Sequence, residues 1–267
     1  MEICAVQLKL KNCKTSTEFY HHVKNSIQVQ NLDLLVFPEN INLCLLNVQN
    51  DFKIFSIKDK IEIFVDKIIS KLNLSFILKK QKLDLQKSII LDCFSKLAQE
   101  YNVNIITGSF YEKQEDGIYN SIYAIDRKGY CIARASKKDL VGLEKAFNIK
   151  SSNKPIVANF DFAKVGMCIC FDLNDPNYCS KFDCDILVAP SNGYRPFPGY
   201  PFDFKKETPQ IQRAKENNYA IVRPYCAGWL GPLYFSGRTM IVDKNGNILA
   251  QSTTRNNTEL VFASIVS

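Results

Sequence analysis

The sequence predicts an α/β fold of stacked sheets and covering helices, on three observations. Apolar runs of strand length recur along all 267 residues. Segments of helical period lie between the early runs, and the turn signals Asp126-Arg-Lys-Gly129 and Asp243-Lys-Asn-Gly246 separate later runs into hairpins. Strands buried on both faces need helices outside them, which makes a layered sandwich.

Taken in order, the apolar pattern predicts strands near 3–8, 33–37, 103–108, 119–126, 129–135, 164–169, 185–189, 219–225, 236–243 and 259–265. Helical spacing marks 16–29, 58–72, 87–101, 174–182 and 207–218. The first of these helices carries Thr15 and Glu18 at capping-box spacing. The Lys-rich stretch 45–86 fits the pattern least and is expected to hold an unusual loop or helix.

Composition bounds the function. A single domain over 1–267 is expected, because no Gly/Ser- or Pro-rich linker and no repeat interrupts the chain. The longest apolar runs, such as Leu32 to Pro38, fall far short of the roughly 20 residues a membrane helix needs. The N-terminal Met-Glu-Ile-Cys-Ala-Val lacks the features of a signal peptide, so a cytoplasmic location is expected. Ten cysteines then read as reduced thiols. Cys168, Cys170, Cys179 and Cys184 cluster without C-x-x-C pairs, and no metal is expected. The formal charge of +7 comes from scattered lysines without a recognition motif, so nucleic acid is not an expected partner.

Cys170 ends the apolar run Val165-Gly-Met-Cys-Ile169, and Asp172 and Asn174 supply helix-cap chemistry just beyond it. A thiol on such a strand-to-helix turn stands clear of the sheet, where a helix N-terminus favours the thiolate. A buried packing cysteine is the plain alternative. The only histidines, His21 and His22, are adjacent on a predicted helix and at most one can face inward, so a Cys-His pair fits poorly. A carboxylate is the better base.

Three ordered segments carry a resemblance: Val36-Phe-Pro-Glu39, Ala135-Ser-Lys-Lys-Asp-Leu140 with Glu144 beyond it, and Gly166-Met-Cys-Ile-Cys-Phe-Asp172. With the accessory stretches Tyr119-Asn-Ser121, Ile186-Leu-Val-Ala-Pro-Ser191 and Ser236-Gly-Arg-Thr-Met-Ile-Val-Asp243, the chain resembles the amidase-like branch of the carbon–nitrogen hydrolase (nitrilase) superfamily. The resemblance implies a four-layer αββα sandwich and a thiol hydrolase that cleaves a non-peptide C–N bond in a small linear amide or N-carbamoyl compound. It implies Glu39 as base, Cys170 as nucleophile, and Lys137 with the backbone N–H of Phe171 as oxyanion donors. Lys138 is the alternative lysine; on a strand end the two point to opposite faces. Glu144 resembles a second glutamate that orients the lysine, one residue closer than the commonest spacing. No cofactor is implied, and the family implies a homodimer, for which Tyr178 and Phe182 form either a seam or a core stripe.

Two departures bear on the substrate. Asn174-Asp-Pro-Asn177 stands where many members read Arg-Phe-Pro-Glu, and an aromatic-rich loop, 193–204, follows Asn192. That loop reads as a substrate wall with Arg195 pairing a carboxylate, or equally as a rigid loop packed on its own rings. Asn192 after Pro190-Ser191 also resembles the catalytic domain of apolipoprotein N-acyltransferases, so a soluble acyltransferase acting on an amine is one alternative. A non-catalytic scaffold of the same fold is the other.

Overall fold

The computed structural model describes residues 1–46, 75, 78, 81–195, 208–231 and 233–266. The chain begins β1 (Glu2–Lys9), α1 (Ser16–Asn25), β2 (Leu34–Val36), α2 (Leu83–Tyr101), β3 (Asn104–Gln114), β4 (Gly117–Ile125), β5 (Cys131–Ser136), α3 (Gly142–Ala146) and β6 (Ile149–Lys150). It continues β7 (Ile156–Asn159), β8 (Lys164–Met167), α4 (Pro176–Cys179), β9 (Ile186–Val188), β10 (Tyr194–Arg195), α5 (Pro209–Asn217) and β11 (Ala220–Arg223). The last strands are β12 (Cys226–Leu230), β13 (Leu233–Phe235), β14 (Met240–Val242), β15 (Ile248–Gln251) and β16 (Glu259–Ser264).

Side-chain alternation along β1 shows how the layers form, since successive residues of a strand face opposite ways. Cys4, Val6 and Leu8 join Phe19 and Val23 of α1 and Phe94 and Leu97 of α2 in an outer core. Ile3 and Ala5 turn the other way, onto Val165, Met167, Val188 and Val222 of a second sheet. That second sheet in turn sends Leu187, Ile221 and Val242 outward against Tyr178, Phe182 and Ala214. Helix, sheet, sheet and helix thus stack as four layers around three apolar cores.

The first sheet is ordered β1-β2-β3-β4-β5, with β16 antiparallel to β1 and β12, β13 and β10 continuing beyond Leu8 and Lys9. The second is ordered β15-β14-β11-β9-β8-β7. The predicted strand 219–225 is two pieces: β11 pairs with β9 in the second sheet, and after Pro224 the chain crosses to the first sheet as β12. Proline has no N–H for the ladder, so the strand must stop there. Pro190 after β9 marks a similar crossing to β10.

The turn chemistry folds as read. Asp126 Oδ1 accepts the N–H groups of Lys128 and Tyr130, and Asp243 Oδ1 those of Asn245 and Asn247. Thr15 caps α1 through Glu18 N–H at 3.1 Å, while the Glu18 carboxylate takes the N–H of Lys14. The predicted helix 174–182 is shorter: a 3-10 turn over Cys170–Asn174 precedes α4, because Pro176 interrupts the hydrogen-bond ladder. Tyr178 and Phe182 meet edge to face at 5.2 Å in the core outside the second sheet, where both are buried. The predicted helix 58–72 lies outside the described residues, as does most of 45–86. No helix among the described residues is long and apolar enough to cross a membrane.

Candidate active site

Strand β2 delivers Glu39 to the seam between the sheets. Its ladder ends where Phe37 N–H bonds Ile106 at 3.0 Å and Pro38 supplies no further donor. Gly108, at φ +72°, lets this loop press onto β3: a Cβ there would lie 2.0 Å from the Pro38 carbonyl oxygen. Only glycine tolerates both that conformation and that approach. Asn40 then turns the chain at φ +59°, leaving Glu39 fully buried.

Lys137 follows β5 and is held by its own N–H on the Asn120 carbonyl at 2.9 Å. Its Nζ donates to Glu39 Oε1 at 2.8 Å and lies 2.8 Å from Glu144 Oε2. All three side chains are at most 2% exposed. Lys138 points elsewhere, to Asp139 at 2.7 Å and Asp175 at 2.9 Å. Glu144 sits in the first turn of α3, where its Oε2 also accepts Val141 N–H at 3.0 Å.

Asn120 ties the two glutamates together. Its Nδ2 donates to Glu39 Oε1 at 3.1 Å and to Glu144 Oε1 at 2.8 Å, and two carboxylates fix that amide orientation. Sequence reasoning quoted Asn120 without giving it a role. The signal was present: a polar residue inside a buried strand needs a polar partner.

Cys170 comes from the second sheet, just past β8. Its φ of +51° is a strained value for a side-chain-bearing residue, and its N–H is held by the Pro190 carbonyl at 2.9 Å. Phe171 follows with a half-exposed ring. Its N–H stands in the first turn of the Cys170–Asn174 helix, where backbone donors have no partner within the helix. The loop after β9 closes over Glu39 from the same sheet: Asn192 N–H donates to Glu39 Oε2 at 3.0 Å. Arg223 donates to Ser191 Oγ at 3.0 Å and lies 5.2 Å over the Tyr225 ring.

Two carboxylates around one ammonium set the electrostatics. Burial alone would push the Lys137 ammonium down, but Glu39 and Glu144 outweigh it and hold it well above its ordinary value. The Cys170 thiol is pushed up to about 11, first by burial and then by Glu39, against the opposing pull of Lys137, Arg223 and Ser191. This corrects the expectation of a thiolate favoured by the helix end. At neutral pH the sulfur therefore carries its proton.

Arg195 lies on β10, with Nη1 on the Tyr194 carbonyl at 2.6 Å. Strand pairing and the Gly237 N–H bond to Arg255 at 2.9 Å bring the Arg195, Arg238 and Arg255 segments together, and the field of Arg195 reaches both Tyr225 and Arg238. The predicted aromatic wall from 196 onward lies outside the described residues up to 207. Cys168 and Cys179 belong to the core outside the second sheet, so they do not share a site with Cys170. No group of three metal-ligating side chains occurs among the described residues.

Comparison with known proteins identifies the family and the fold. The model of the carbon–nitrogen hydrolase family matches residues 3–267. A protein of Staphylococcus lugdunensis described as a hydrolase in the agr operon is 28% identical over 185 residues, 66% of this chain and 75% of that protein. The deaminated glutathione amidase of Dictyostelium discoideum is 29% identical over 188 residues, 61% of each chain. Among solved structures, the amidase of Nesterenkonia sp. AN1 with acrylamide added at its active-site cysteine superposes with a TM-score of 0.70. It shares 15% identity, covers 100% of this chain and 93% of its own, and has the same fold.

Proposed function

Because this chain belongs to the carbon–nitrogen hydrolase family, we propose that it hydrolyses a small linear amide or N-carbamoyl compound through a thioester on Cys170. The observation that carries this reading is the buried Lys137 bridged between Glu39 and Glu144 beside a protonated thiol. Lys137 spends two of its three N–H donors on the glutamates. Among the described residues no acceptor takes the third, which leaves it for charge that develops on a carbonyl oxygen.

In the first half-reaction Glu39 takes the Cys170 proton as sulfur attacks the carbonyl carbon. The oxyanion is held by Lys137 and the N–H of Phe171, and Glu39 returns the proton to the departing ammonia or amine. Water, deprotonated by Glu39, then attacks the thioester and releases the carboxylic acid and the thiol. Asn120 and Glu144 hold the lysine in place throughout, and Asn192 N–H fixes the second oxygen of Glu39. The scheme uses no cofactor. The positive field of Arg195 with Arg238 and Arg255 favours a substrate that carries a carboxylate away from the scissile bond.

Intact-protein mass spectrometry after incubation with a panel of small amides tests the reading. An acyl adduct on Cys170 that disappears with time is expected for the turned-over compounds. Substrate loss without dependence on Cys170, or adducts on other cysteines alone, would refute it.

A homodimer and a cytoplasmic location belong to the same reading and are carried by the family resemblance. Tyr178 and Phe182 do not provide the dimer seam, since both are buried in the protomer. Sedimentation equilibrium at micromolar concentration is expected to give a mass near twice 30.5 kDa. A strict monomer across that range would remove the dimer.

A further inference from the structure

We propose that the Asp172 carboxylate is a positioning residue that sets the distance between Cys170 and Lys137 by gripping the backbone next to each. Its Oδ2 accepts Ile169 N–H at 2.9 Å, on the residue before the nucleophile. Its Oδ1 accepts Asp139 N–H at 2.7 Å and Lys138 N–H at 3.1 Å, on the two residues after the lysine. The nucleophile segment issues from the second sheet and the lysine segment from the first. One buried side chain therefore pins together two chain segments from opposite sides of the inter-sheet seam.

The cost of this arrangement argues for its purpose. Asp172 is fully buried, and burial pushes its carboxyl up to about 7 against the help of the Asp139 and Ile169 N–H groups. The charged groups around it are Lys137, which favours ionisation, and Asp139, which opposes it; Cys168, Tyr178 and Cys179 pack on the same turn. A buried charge without a fully ionic partner is expensive, and an apolar side chain here would strand three N–H donors. A second link between the segments, Lys138 to Asp175, is partly exposed and correspondingly weak. The geometry that Asp172 holds is the one the reaction needs, because misplacing a reacting group by about 1 Å costs on the order of a hundredfold in rate.

This inference rests on the amide-hydrolase reading for its kinetic arm only. Asp172→Asn keeps the shape and one acceptor but sets an NH2 group against the Ile169 N–H. With a turned-over amide, kcat is expected to fall about a hundredfold or more, with KM within about threefold.

The second arm needs no substrate: iodoacetamide labelling of Cys170 at pH 8. It should slow about tenfold as Lys137 loses its place beside the thiol, one unit of thiol pKa being tenfold in thiolate. A mere loss of negative charge would speed labelling instead, so the sign separates positioning from electrostatics. Asp139→Pro removes one donor from the lysine side and should reproduce both losses, whereas Asp139→Ala keeps the N–H and should resemble the parent. Unchanged labelling in folded Asp172→Asn, or equal behaviour of Asp139→Pro and Asp139→Ala, overturns the proposal. If Asp172→Asn does not fold, the Asp139 pair decides. If the parent turns over no amide, the labelling arm decides alone, and only the functional reading is lost.

Discussion

Glu39→Gln is expected to cut turnover at least about a thousandfold while making Cys170 more reactive toward iodoacetamide. The first effect follows from losing the proposed base of both half-reactions, a role worth roughly 10²- to 10⁴-fold per step. The second follows from charge: after burial, Glu39 is the largest influence raising the Cys170 thiol to about 11, and glutamine removes it while Lys137 stays. Below that value the thiolate fraction gains tenfold for each unit the pKa falls. Labelling of the parent should therefore climb tenfold per pH unit up to about 11, whereas the variant should level off at lower pH. Cys131 is exposed at the start of β5, the end away from Lys137, so it serves as the internal reference. Labelling that slows in step with turnover would show that Glu39 does not hold the thiol in its protonated form.

Lys137→Met is expected to act with the opposite sign on the thiol and to damage the fold as well. Removing the ammonium leaves Glu39 and Glu144 facing each other, both buried. Breaking a buried pair in this way costs about 3–5 kcal/mol. Turnover should fall about 10²- to 10³-fold through the lost oxyanion donor, and Cys170 labelling should slow because Lys137 lowers the thiol's pKa. Urea unfolding of the variant against the parent reads this loss of stability directly. Lys138→Met removes only partly exposed ion pairs and should cost about 1 kcal/mol or less with turnover kept. Greater damage from Lys138 than from Lys137 would reverse the lysine assignment.

Legibility in the sequence followed the range of the interactions. Turns written by local side-chain bonds, at Asp126 and Asp243, could be read at once, as could the alternating strands of both sheets. The split of 219–225 at Pro224 was also written locally, but that the two pieces serve different sheets depends on distant partners. Glu39, Lys137 and Cys170 were found by resemblance to ordered motifs. Asn120 was not, because its value lies in bridging Glu39 and Glu144, which are far from it in sequence. The sequence reads Asp172 as a helix cap, and it does accept the Ile169 N–H. Its hold on Lys138 and Asp139 is a tertiary contact that local pattern cannot show. The thiol's pKa departs from the local expectation for the same reason: the helix end is local, whereas the opposing carboxylate comes from the other sheet.

That two-sheet origin also governs when the molecule can become chemically competent. Glu39 and Lys137 are 98 residues apart, and Asn192 reaches Glu39 across 153. Contacts of such sequence separation are late events, because long loops must close before they form. Helices and individual hairpins can be complete while the sulfur still faces water without its base and the lysine lacks its place. Regain of activity during refolding is thus a stricter reporter than circular dichroism: it registers only chains whose two halves have stacked in register. A loosened intermediate turns nothing over, yet its thiol, freed of the Glu39 charge, stays open to alkylation, so labelling and turnover part company until the sheets have stacked.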